Sequence, residues 1–471
     1  MRVTVMGLGL HGGGVASARY CHAQGAEVTV TDLREESALR SSVEALSALP
    51  IRFVLGTHEE GDFSGADMVI KNPAVRRDVP LLLRAKRIET DVSLFLSRSD
   101  NPLLAVTGTK GKSSTASAAH HILKEFGSGA RLGGNITHSP LNFLEELAPG
   151  ETVVLELSSF QLGDLVFTTR FNEERGSRPR EFSPRHRPID PDVSVITNIY
   201  RDHLDYYGSM ERYVEDKRAI YRSQRGGWSI FSGEDGYGQR FAAEAPSRAL
   251  LVYGGEGEHR GDGVYEHNGW GILSIGEEKV PLVPPELKVP GSHQRRNLLT
   301  AAAVAYLAGA PAELVKPRVA GFPGIPHRLH YVGSIGALSF YNDSASTIPE
   351  ASLAAVESFD DPVHLICGGT DKGLDLSPLR SAAMRARSVH LLAGGATERL
   401  MPMLREHRIP FSGPFRELAE LLASCVRSVE MNERRGVVLF SPGCSSFEHF
   451  QNEFDRGNRF VSAVRDLGAN S

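Results

Sequence analysis

Short runs of Val, Ile and Leu alternate along the chain with longer segments of helical periodicity, and turns rich in Gly, Ser and Asp separate the two. Runs of this kind predict buried strands of a parallel sheet, and the periodic segments predict the crossover helices between them. The pattern starts afresh twice. It therefore predicts an α/β fold of three domains, over residues 1–100, 101–323 and 324–471. The first is Rossmann-like, the second has a mostly parallel sheet, and the third is doubly wound and Rossmann-like.

The most informative turn follows the first strand of the second domain, which ends at Val106. Gly108 and Gly111 would let the backbone N–H groups approach a phosphate closely, while Lys112 could reach terminal phosphates and the Ser113 hydroxyl could bind Mg²⁺. Val106 stands where the common phosphate-binding loop has its first glycine. This turn predicts a P-loop ATPase domain. The alternative is an ordinary strand–turn–helix connection with a spare lysine.

The N-terminal segment has a simpler version of the same plan. A strand leads into a turn with Gly7, Gly9 and Gly12, a helix runs to about Gln24, and a second strand ends at Asp32. This resembles the first unit of a dinucleotide-binding fold, but an isolated G-x-G-x-x-G pattern is a weak signal. A nucleotide diphosphate would fit the turn at least as well as a dinucleotide. A packing turn without a ligand is the alternative.

Polar residues follow two strands of the second domain, where α/β sheets bind their ligands. Glu156 ends a buried-type strand and could hold a metal, and His203 lies between Asp202 and Asp205 after the next strand. His203 is thus a candidate ligand or base, with a structural or exposed histidine as the alternative. Lys217 follows on a helix, and sequence alone predicts a solvated surface lysine.

Two segments of the second domain are expected to be irregular. Residues 171–188 are dense in arginine, proline and charge, which predicts an exposed loop. Its arginines could reach a phosphorylated substrate, although a solvated insertion is the favoured alternative. Residues 254–276 predict short antiparallel strands and loops attached to the sheet.

Strand ends of the third domain carry a similar concentration of polar residues. Asp343 and Ser344 follow one strand, Lys372 follows the next, and Ser446 follows the last. Such residues in doubly wound sheets are more often functional than structural, although any one of them could simply cap the following helix.

Composition excludes several classes of protein. The 471 residues carry a net charge of −5 without a basic cluster, so we expect neither nucleic acid nor a membrane surface as a partner. The four cysteines are far apart and form no C-x-x-C pair, which argues against a zinc site or a disulfide framework. With no signal-like or membrane-spanning run, the chain is expected to be cytoplasmic.

Together these motifs resemble, in order and over nearly the whole chain, those of the Mur ligase family. The elements Ser158-Ser159-Phe160-Gln161-Leu162 and Ser441-Pro442-x-Cys444 are most similar to the members that add D-glutamate to UDP-N-acetylmuramoyl-L-alanine. The other matching motifs are Thr107-Gly108-Thr109-x-Gly111-Lys112-Ser113, Asp202-His203-Leu204-Asp205, Gly291-Ser292-His293 with Asn297, Pro326-His327-Arg328, Asn342-Asp343-Ser344 and Gly368-Gly369-x-x-Lys372.

The resemblance implies an ATP-dependent amide ligase of peptidoglycan precursor synthesis, expected to be a monomer. ATP would convert the substrate carboxylate to an acyl phosphate, which the amine of glutamate attacks. ATP would be bound by Gly108, Thr109, Lys110, Gly111, Lys112, Ser113, Ser114, Asn297, Arg328 and Asp343. Two Mg²⁺ ions would be held by Ser113, Glu156, His203 and Lys217, the last as a carbamylated lysine. Lys112, Glu156, His203 and Lys217 would be the catalytic residues. The UDP-sugar would meet Gly9, Leu10, Asp32, Arg34, Asn135, Ser159 and His203, and glutamate would meet Thr347, Lys372, Ser446 and Phe447.

The sequence departs from the family pattern at several positions. Ala345 stands where many of these ligases have a lysine, and Gln294 replaces an asparagine. Glu453-Phe454 stands where Phe-Glu is usual, and the Arg/Pro-rich segment is extra. These departures bear on the identity and stereochemistry of the amino acid more than on ligation itself.

Two other interpretations remain open at this point. A sister enzyme, such as a folylpolyglutamate synthase or a ligase for L-glutamate or another amino acid, would share the ATPase core. The complete nucleotide-type domain before the P-loop argues against the folate enzyme. A nucleotide-switched binding protein would need fewer chemical groups than Glu156, His203 and Lys217 together provide.

Overall fold

The structure is a computed structural model that describes residues 1–136, 138–176, 189–257, 261–432 and 435–469. The chain forms two compact units, Met1–Pro285 with Arg296–Val319, and Glu286–Arg295 with Ala320–Ser471. The first unit contains two sheets and the second contains one. Each sheet is mostly parallel and has helices between its strands, so the predicted α/β fold with three domains is confirmed.

The first sheet has five parallel strands in the order β3-β2-β1-β4-β5. Its first strand has neighbours on both sides, so the turn after that strand lies where the strand order reverses, the usual ligand position of such sheets. The elements are β1 (Arg2–Met6), α1 (Gly13–Ala23), β2 (Glu27–Asp32), α2 (Glu36–Glu44), β3 (Arg52–Leu55), α3 (Glu60–Ser64), β4 (Met68–Lys71), β5 (Ile88–Glu89) and α4 (Asp91–Leu96).

The second sheet has nine strands in the order β14-β13-β12-β11-β10-β9-β6-β8-β7. The elements are β6 (Leu103–Thr107), α5 (Lys112–Leu123), β7 (Ala130–Gly134), β8 (Thr152–Glu156), α6 (Ser159–Glu174), β9 (Val193–Ile196), α7 (Leu204–Tyr207), α8 (Met210–Arg222), β10 (Trp228–Ser232), α9 (Gly236–Glu244), β11 (Arg248–Glu256), β12 (Gly263–His267), β13 (Trp270–Ile275), β14 (Glu278–Val283), α10 (Ser292–Leu307) and α11 (Ala312–Gly321). The strands that carry the P-loop, Glu156 and the His203 segment are adjacent, since β6 pairs with both β8 and β9.

Two expectations for this domain need correction. Residues 171–174 form the end of α6 and not a loop, because Phe171 packs in a buried apolar cluster and Asn172 bonds both backbone groups of Ile88, at 3.0 and 2.8 Å. Residues 177–188 of the same prediction lie outside the described residues. In the 254–276 segment, β12 and β13 are antiparallel as expected, but β12 pairs with β11 in parallel.

The third sheet has six strands in the order β15-β16-β20-β17-β18-β19, all parallel except the β15–β16 pair. Leu365 and Leu439 belong to one buried cluster, while Ile366 and Val438 belong to another, so both faces of the sheet are covered. The elements are β15 (His330–Ile335), β16 (Leu338–Asn342), α12 (Pro349–Val356), β17 (Val363–Cys367), α13 (Ser377–Arg385), β18 (Ser388–Leu392), α14 (Gly395–Glu406), β19 (Ser412–Phe415), α15 (Leu418–Asn432), β20 (Gly436–Phe440) and α16 (Glu453–Ala469).

Candidate active site

The P-loop candidate forms a tight turn between β6 and α5. Gly108 and Gly111 have φ values of 144° and 84°, which L side chains rarely adopt. A Cβ on Gly108 would lie 1.9 Å from Thr197 Oγ1, so this close approach of the turn to the end of β9 requires glycine. Gly111 is the N-cap residue of α5 and has no side chain to cap it, and the N-terminus of a helix favours negative charge.

Neighbouring residues hold this turn in place. The N–H groups of Thr109 and Lys110 donate to the backbone and side-chain oxygens of Asn198, both at 2.9 Å. In return, the side chains of Thr197 and Asn198 donate to the Lys110 carbonyl at 2.6 and 3.0 Å. The loop is therefore preorganised by the strand that leads to His203.

Lys112 folds back over the turn, where its Nζ donates to the carbonyl oxygens of Gly108 and Thr109 at 3.1 and 3.0 Å. Ser113 and Ser114 follow in the first helical turn and are partly buried. An ammonium group beside a turn of backbone N–H groups is a suitable environment for a polyphosphate.

Glu156 is buried beside this loop, with its residue only 2% exposed. It pairs in register with Val106, the residue that precedes the loop by two positions. Asn135 Nδ2 donates to Glu156 Oε1 at 3.2 Å, whereas Oε2 has no hydrogen-bond partner among the described residues. A buried carboxylate oxygen without a partner is costly, and a divalent cation is the group that such an oxygen binds well.

Lys217 is also buried, at 2% exposure, so the surface position that the sequence alone predicted for it is wrong. Its Nζ donates to the Gly108 carbonyl at 2.7 Å and to Thr107 Oγ1 at 3.4 Å, and it lies 4.8 Å from the centre of the Tyr213 ring. Burial, with a smaller contribution from the charge of Lys112, lowers the pKa of Lys217 to about 7.

His203 begins α7 in a left-handed conformation, with φ of 51°, and its side chain is 48% exposed. Its ring lies 5.0 Å from that of Phe160, and Nε2 lies 4.0 Å from Asp202 Oδ2. In the described part of the chain, no three His, Cys, Asp or Glu side chains are grouped closely enough to hold a metal ion. Glu156 and His203 would therefore need ligands of other kinds.

A cavity of about 590 Å³ opens at the carboxyl end of the first sheet. It is lined by four residues expected to meet the UDP-sugar, namely Gly9, Leu10, Asp32 and Arg34. The Asp32 carboxylate accepts hydrogen bonds from Gly9 N at 3.3 Å and from the Arg34 backbone and guanidinium at 3.0 to 3.2 Å. Burial works against the charge of Asp32, but these hydrogen bonds outweigh it and lower the pKa of the carboxyl group.

A second cavity, of about 450 Å³, adjoins the first and shares His11, Gly13, Asn72 and Ala74 with it. Asn135, the neighbour of Glu156, lines this second cavity. The two cavities thus connect the first sheet with the surroundings of Glu156. Ser159 is 2% exposed and does not line this cavity, whereas Ser158, which caps α6 by accepting from Gln161 N, does.

The sequence analysis missed some residues of these cavities. His11 lies inside the glycine turn, between Gly9 and Gly12, and Asn72 comes directly after β4. Ligands bind beyond the carboxyl ends of strands in such sheets. Asn72 could therefore have been predicted if the apolar run of β4 had been recognised as a strand in the sequence.

Two of the residues expected to bind nucleotide belong to the second unit. Asp343 is 6% exposed and accepts from Leu329 N at 3.1 Å, from Ser346 Oγ at 2.5 Å and from Ser441 Oγ at 2.7 Å. Burial raises the pKa of its carboxyl group to about 6. Arg328 is exposed in the turn before β15. Asn297 belongs to the first unit and lies beside Gly111. A Cβ added to Gly111 would be 2.4 Å from Asn297 Oδ1.

Three of the four residues expected to bind glutamate, Lys372, Ser446 and Phe447, follow β17 and β20, which are adjacent at the reversal of strand order in the third sheet, whereas Thr347 follows β16. Lys372 Nζ lies 6.0 Å from the centre of the Phe447 ring, and Phe447 is 65% exposed. Ser446 is 4% exposed, and its Oγ has no hydrogen-bond partner among the described residues. Thr347 is partly buried and follows Ser346, whose carbonyl accepts from Gly443 N at 3.0 Å.

Helices of the described ranges are too short or too polar to cross a bilayer. All four cysteines are buried with free thiols.

Comparisons with known proteins identify the family. Residues 106–305 match the model of the Mur ligase middle domain, and residues 1–93 match that of the MurD-like N-terminal domain of Mur ligases. The chain belongs to the Mur ligase family. The family predicted from the motifs is thereby confirmed, and the first domain is of the MurD-like type.

Individual members of the Mur ligase family are similar to the chain over its whole length. The UDP-N-acetylmuramoylalanine–D-glutamate ligase of Treponema pallidum (strain Nichols) is 40% identical over 98% of this chain and 97% of that protein. The enzyme of the same name from Roseiflexus sp. (strain RS-1) is 36% identical over 99% and 98%. The crystal structure of UDP-N-acetylmuramate-alanine ligase MurC from Thermotoga maritima shares the fold, with a TM-score of 0.54 and 20% identity over 99% of this chain and 100% of that one.

Proposed function

We propose that this Mur ligase joins D-glutamate to UDP-N-acetylmuramoyl-L-alanine in an ATP-dependent reaction of peptidoglycan precursor synthesis. The similarity to two enzymes of that name over nearly the whole chain supports this assignment. The observation that carries it is local. A glycine-rich turn, a buried carboxylate with one oxygen that has no partner among the described residues, and a buried lysine of lowered pKa converge at the end of β6.

ATP is the proposed nucleotide. The turn from Gly108 to Ser114 would receive the phosphates, with Lys112 beside the β and γ groups. Asn297 would meet the base, and Arg328 and Asp343 would meet a phosphate and the ribose. The hydrogen bonds that fix Thr109 and Lys110 support this role, because a rigid turn loses little entropy when the phosphates bind.

Mg²⁺ is the proposed cofactor, with two ions. The unpartnered Glu156 Oε2 fits a cation, and Ser113, His203 and a carbamylated Lys217 would complete the ligands. A lysine of pKa about 7 is largely uncharged at slightly alkaline pH, which is the state that can add CO₂ and lose a proton. When bound, the ions would offset the negative charge that accumulates as phosphate is transferred.

The proposed reaction has two chemical steps, and Lys112 is placed to assist the first. A carboxylate is a poor electrophile until one of its oxygens is phosphorylated, so the γ-phosphoryl group must first move from ATP to the alanine carboxylate. Lys112 would stabilise that transfer, because its ammonium group lies at the turn where the charge develops. The amine of glutamate then attacks the acyl phosphate, and phosphate leaves as the amide forms.

The substrates are assigned to the two cavities and to the third sheet. The cavity with Gly9, Leu10, Asp32 and Arg34 would bind the UDP end, and Asn135 would meet the sugar near Glu156. Ser159 is buried and would act only through its neighbours. Thr347, Lys372, Ser446 and Phe447 would receive glutamate. We assign binding of the UDP-substrate to domain 1–100, binding of ATP to domain 101–323 and binding of glutamate to domain 324–471. The protein would act as a monomer in the cytoplasm.

Phosphate release from ATP tests the proposal. We expect release only when UDP-N-acetylmuramoyl-L-alanine and glutamate are both present, with D-glutamate preferred to L-glutamate. ATP hydrolysis that is indifferent to either substrate would contradict ligation. A preference for L-glutamate would instead identify a related ligase, an outcome that the alanine at position 345 makes worth testing.

A further inference from the structure

A network of four charged side chains connects the first sheet with two helices of the second. Lys71, the last residue of β4, donates to Asp164 Oδ2 of α6 at 2.5 Å, and the two side chains are 0% and 1% exposed. Arg77 Nε donates to the other oxygen, Asp164 Oδ1, at 3.0 Å. The two terminal nitrogens of Arg77 donate to the carboxylate of Asp216 on α8.

Two cations and two carboxylates balance each other in this network. Burial raises the pKa of Asp164 to about 6, against the opposing effect of Lys71 and Arg77. Apolar side chains of similar volume often fill such a space at no cost in stability, so stability alone does not explain why charges occupy it. A fixed geometry is the property that paired, hydrogen-bonded charges provide and apolar contacts do not.

On one side, the network fixes a wall of the two cavities. Arg77 belongs to the segment after β4, of which Asn72, Ala74 and Arg76 line the first cavity. Lys71 Nζ also donates to the Asn72 carbonyl at 3.2 Å. Both ends of this short segment are thus attached to Asp164.

On the other side, the network reaches the helix that carries Lys217. Asp216 directly precedes Lys217 on α8, and Tyr207 donates its hydroxyl to Asp216 Oδ2 at 3.0 Å. Tyr207 ends α7, the helix that His203 begins. The carboxylate of Asp216 is therefore a common contact of the cavity segment and of the two helices next to the proposed metal ligands.

Gly163 gives this contact room. It lies inside α6, where a Cβ would be 2.0 Å from an Arg77 terminal nitrogen and 2.1 Å from Asp216 Oδ2. Glycine is a poor helix former, so its presence in the middle of a long helix needs a reason. The passage of the Arg77–Asp216 pair across the helix provides one.

We propose that Arg77 is a positioning residue, which holds the wall of the UDP-substrate cavity in a fixed relation to the helix that carries Lys217. The proposal rests on the proposed function, since it assigns the cavity to the UDP-substrate. Arg77 itself lines neither of the two cavities. Its effect would be exerted through the segment that contains Asn72 and through α8.

Kinetics of three variants test the proposal. Arg77→Leu removes the link, and Gly163→Ala displaces it without removing a charge. Arg77→Lys keeps the charge but lacks the planar fork that gives one nitrogen to Asp164 and two to Asp216. We expect the KM for the UDP-substrate to rise about tenfold in the first two and about threefold in the third. The KM for glutamate should not change, because its proposed ligands belong to the other compact unit.

Arg52→Leu is the matched control, since Arg52 makes exposed ion pairs with Glu59 and Asp62 in the same domain. It should leave the KM values for the UDP-substrate, glutamate and ATP unchanged. If every KM rose equally in the Arg77 variants, or if the KM for the UDP-substrate rose as much in the control, Arg77 would contribute only to general stability. Either result would overturn the proposal. So would a KM for the UDP-substrate within twofold of the wild-type value in both Arg77→Leu and Gly163→Ala.

Hydrogen exchange of the ligand-free proteins gives a readout that does not depend on activity. Amides of residues 72–79 and of α8 should exchange faster in Arg77→Leu and Gly163→Ala, while α14 of the second unit should be unaffected. Unchanged exchange in both segments would refute the positioning role. Absence of ligation by the wild-type protein would instead refute the proposed function, so the two failures can be told apart.

Discussion

Replacing Gly111 by alanine should be unfavourable for two reasons that can be separated, backbone strain and a steric overlap, and only the overlap should weaken ATP binding. Gly111 has φ of 84°, and a non-glycine residue in that region costs roughly 1–2 kcal/mol. The new Cβ would also lie 2.4 Å from Asn297 Oδ1, and overpacking of this kind costs about 1–3 kcal/mol. Relief of the overlap must move either the turn proposed to bind phosphate or Asn297, the proposed ligand of the base. Because ATP binding would restore the wild-type positions of both, and with them the overlap, this cost alone corresponds to a loss of about 5- to 150-fold in ATP affinity.

Gly127→Ala isolates the first reason. Gly127 follows the other end of α5 and has φ of 58°, but a Cβ there would meet nothing within 4 Å. It should lower the free energy of unfolding by about 1–2 kcal/mol and leave ATP affinity unchanged. Calorimetric titration with Mg²⁺-ATP, together with urea unfolding, measures both quantities. ATP affinity of Gly111→Ala within twofold of wild type, or an equal loss in Gly127→Ala, would refute the role of the close approach to Asn297.

Three further outcomes are expected. Lys217→Ala should abolish ligation, and short carboxylic acids should restore part of it by replacing the carbamate; full activity without them would remove Lys217 from the site. Ser446→Ala should raise the KM for glutamate about tenfold without lowering the melting temperature, because the Oγ is buried without a partner among the described residues; a lower melting temperature would indicate a structural hydroxyl. Burial lowers the pKa of His390 from 6.5 to about 4, so the folded state binds fewer protons than the unfolded state between these values. Stability should therefore fall as the pH drops, by about 2 kcal/mol between pH 8 and pH 5 in urea unfolding, and His390→Leu should lack this part of the decrease.

Local signals in the sequence were sufficient for the sheets and for much of the proposed site. The turn at Gly108 and Gly111 and the polar residue at Glu156 lie directly after apolar runs, and parallel strands bring their carboxyl ends to one edge. Their proximity therefore follows from the order of strands and turns. The same reasoning applies to Ser446 and Lys372 in the third sheet.

Burial of charged side chains could not be predicted in this way. Lys217 lies on a helix whose sequence is rich in Glu, Asp and Arg, and only its contact with Gly108, 109 residues away, shows that this lysine faces the interior. Lys71 and Asp164 are 93 residues apart, and neither has a local pattern that reveals the other. In residues 171–174, the Arg/Pro-rich composition of the following segment concealed the end of a helix that is held by tertiary contacts.

The two cavities of the first unit have four wall residues in common, so their occupants cannot be independent. A small molecule that fills the larger cavity would contact His11 and Asn72, and these two residues also line the smaller cavity. Compounds grown from the Asp32 end towards Asn135 would consequently gain contacts in both cavities. Screening for inhibitors would do well to begin with fragments at these shared walls.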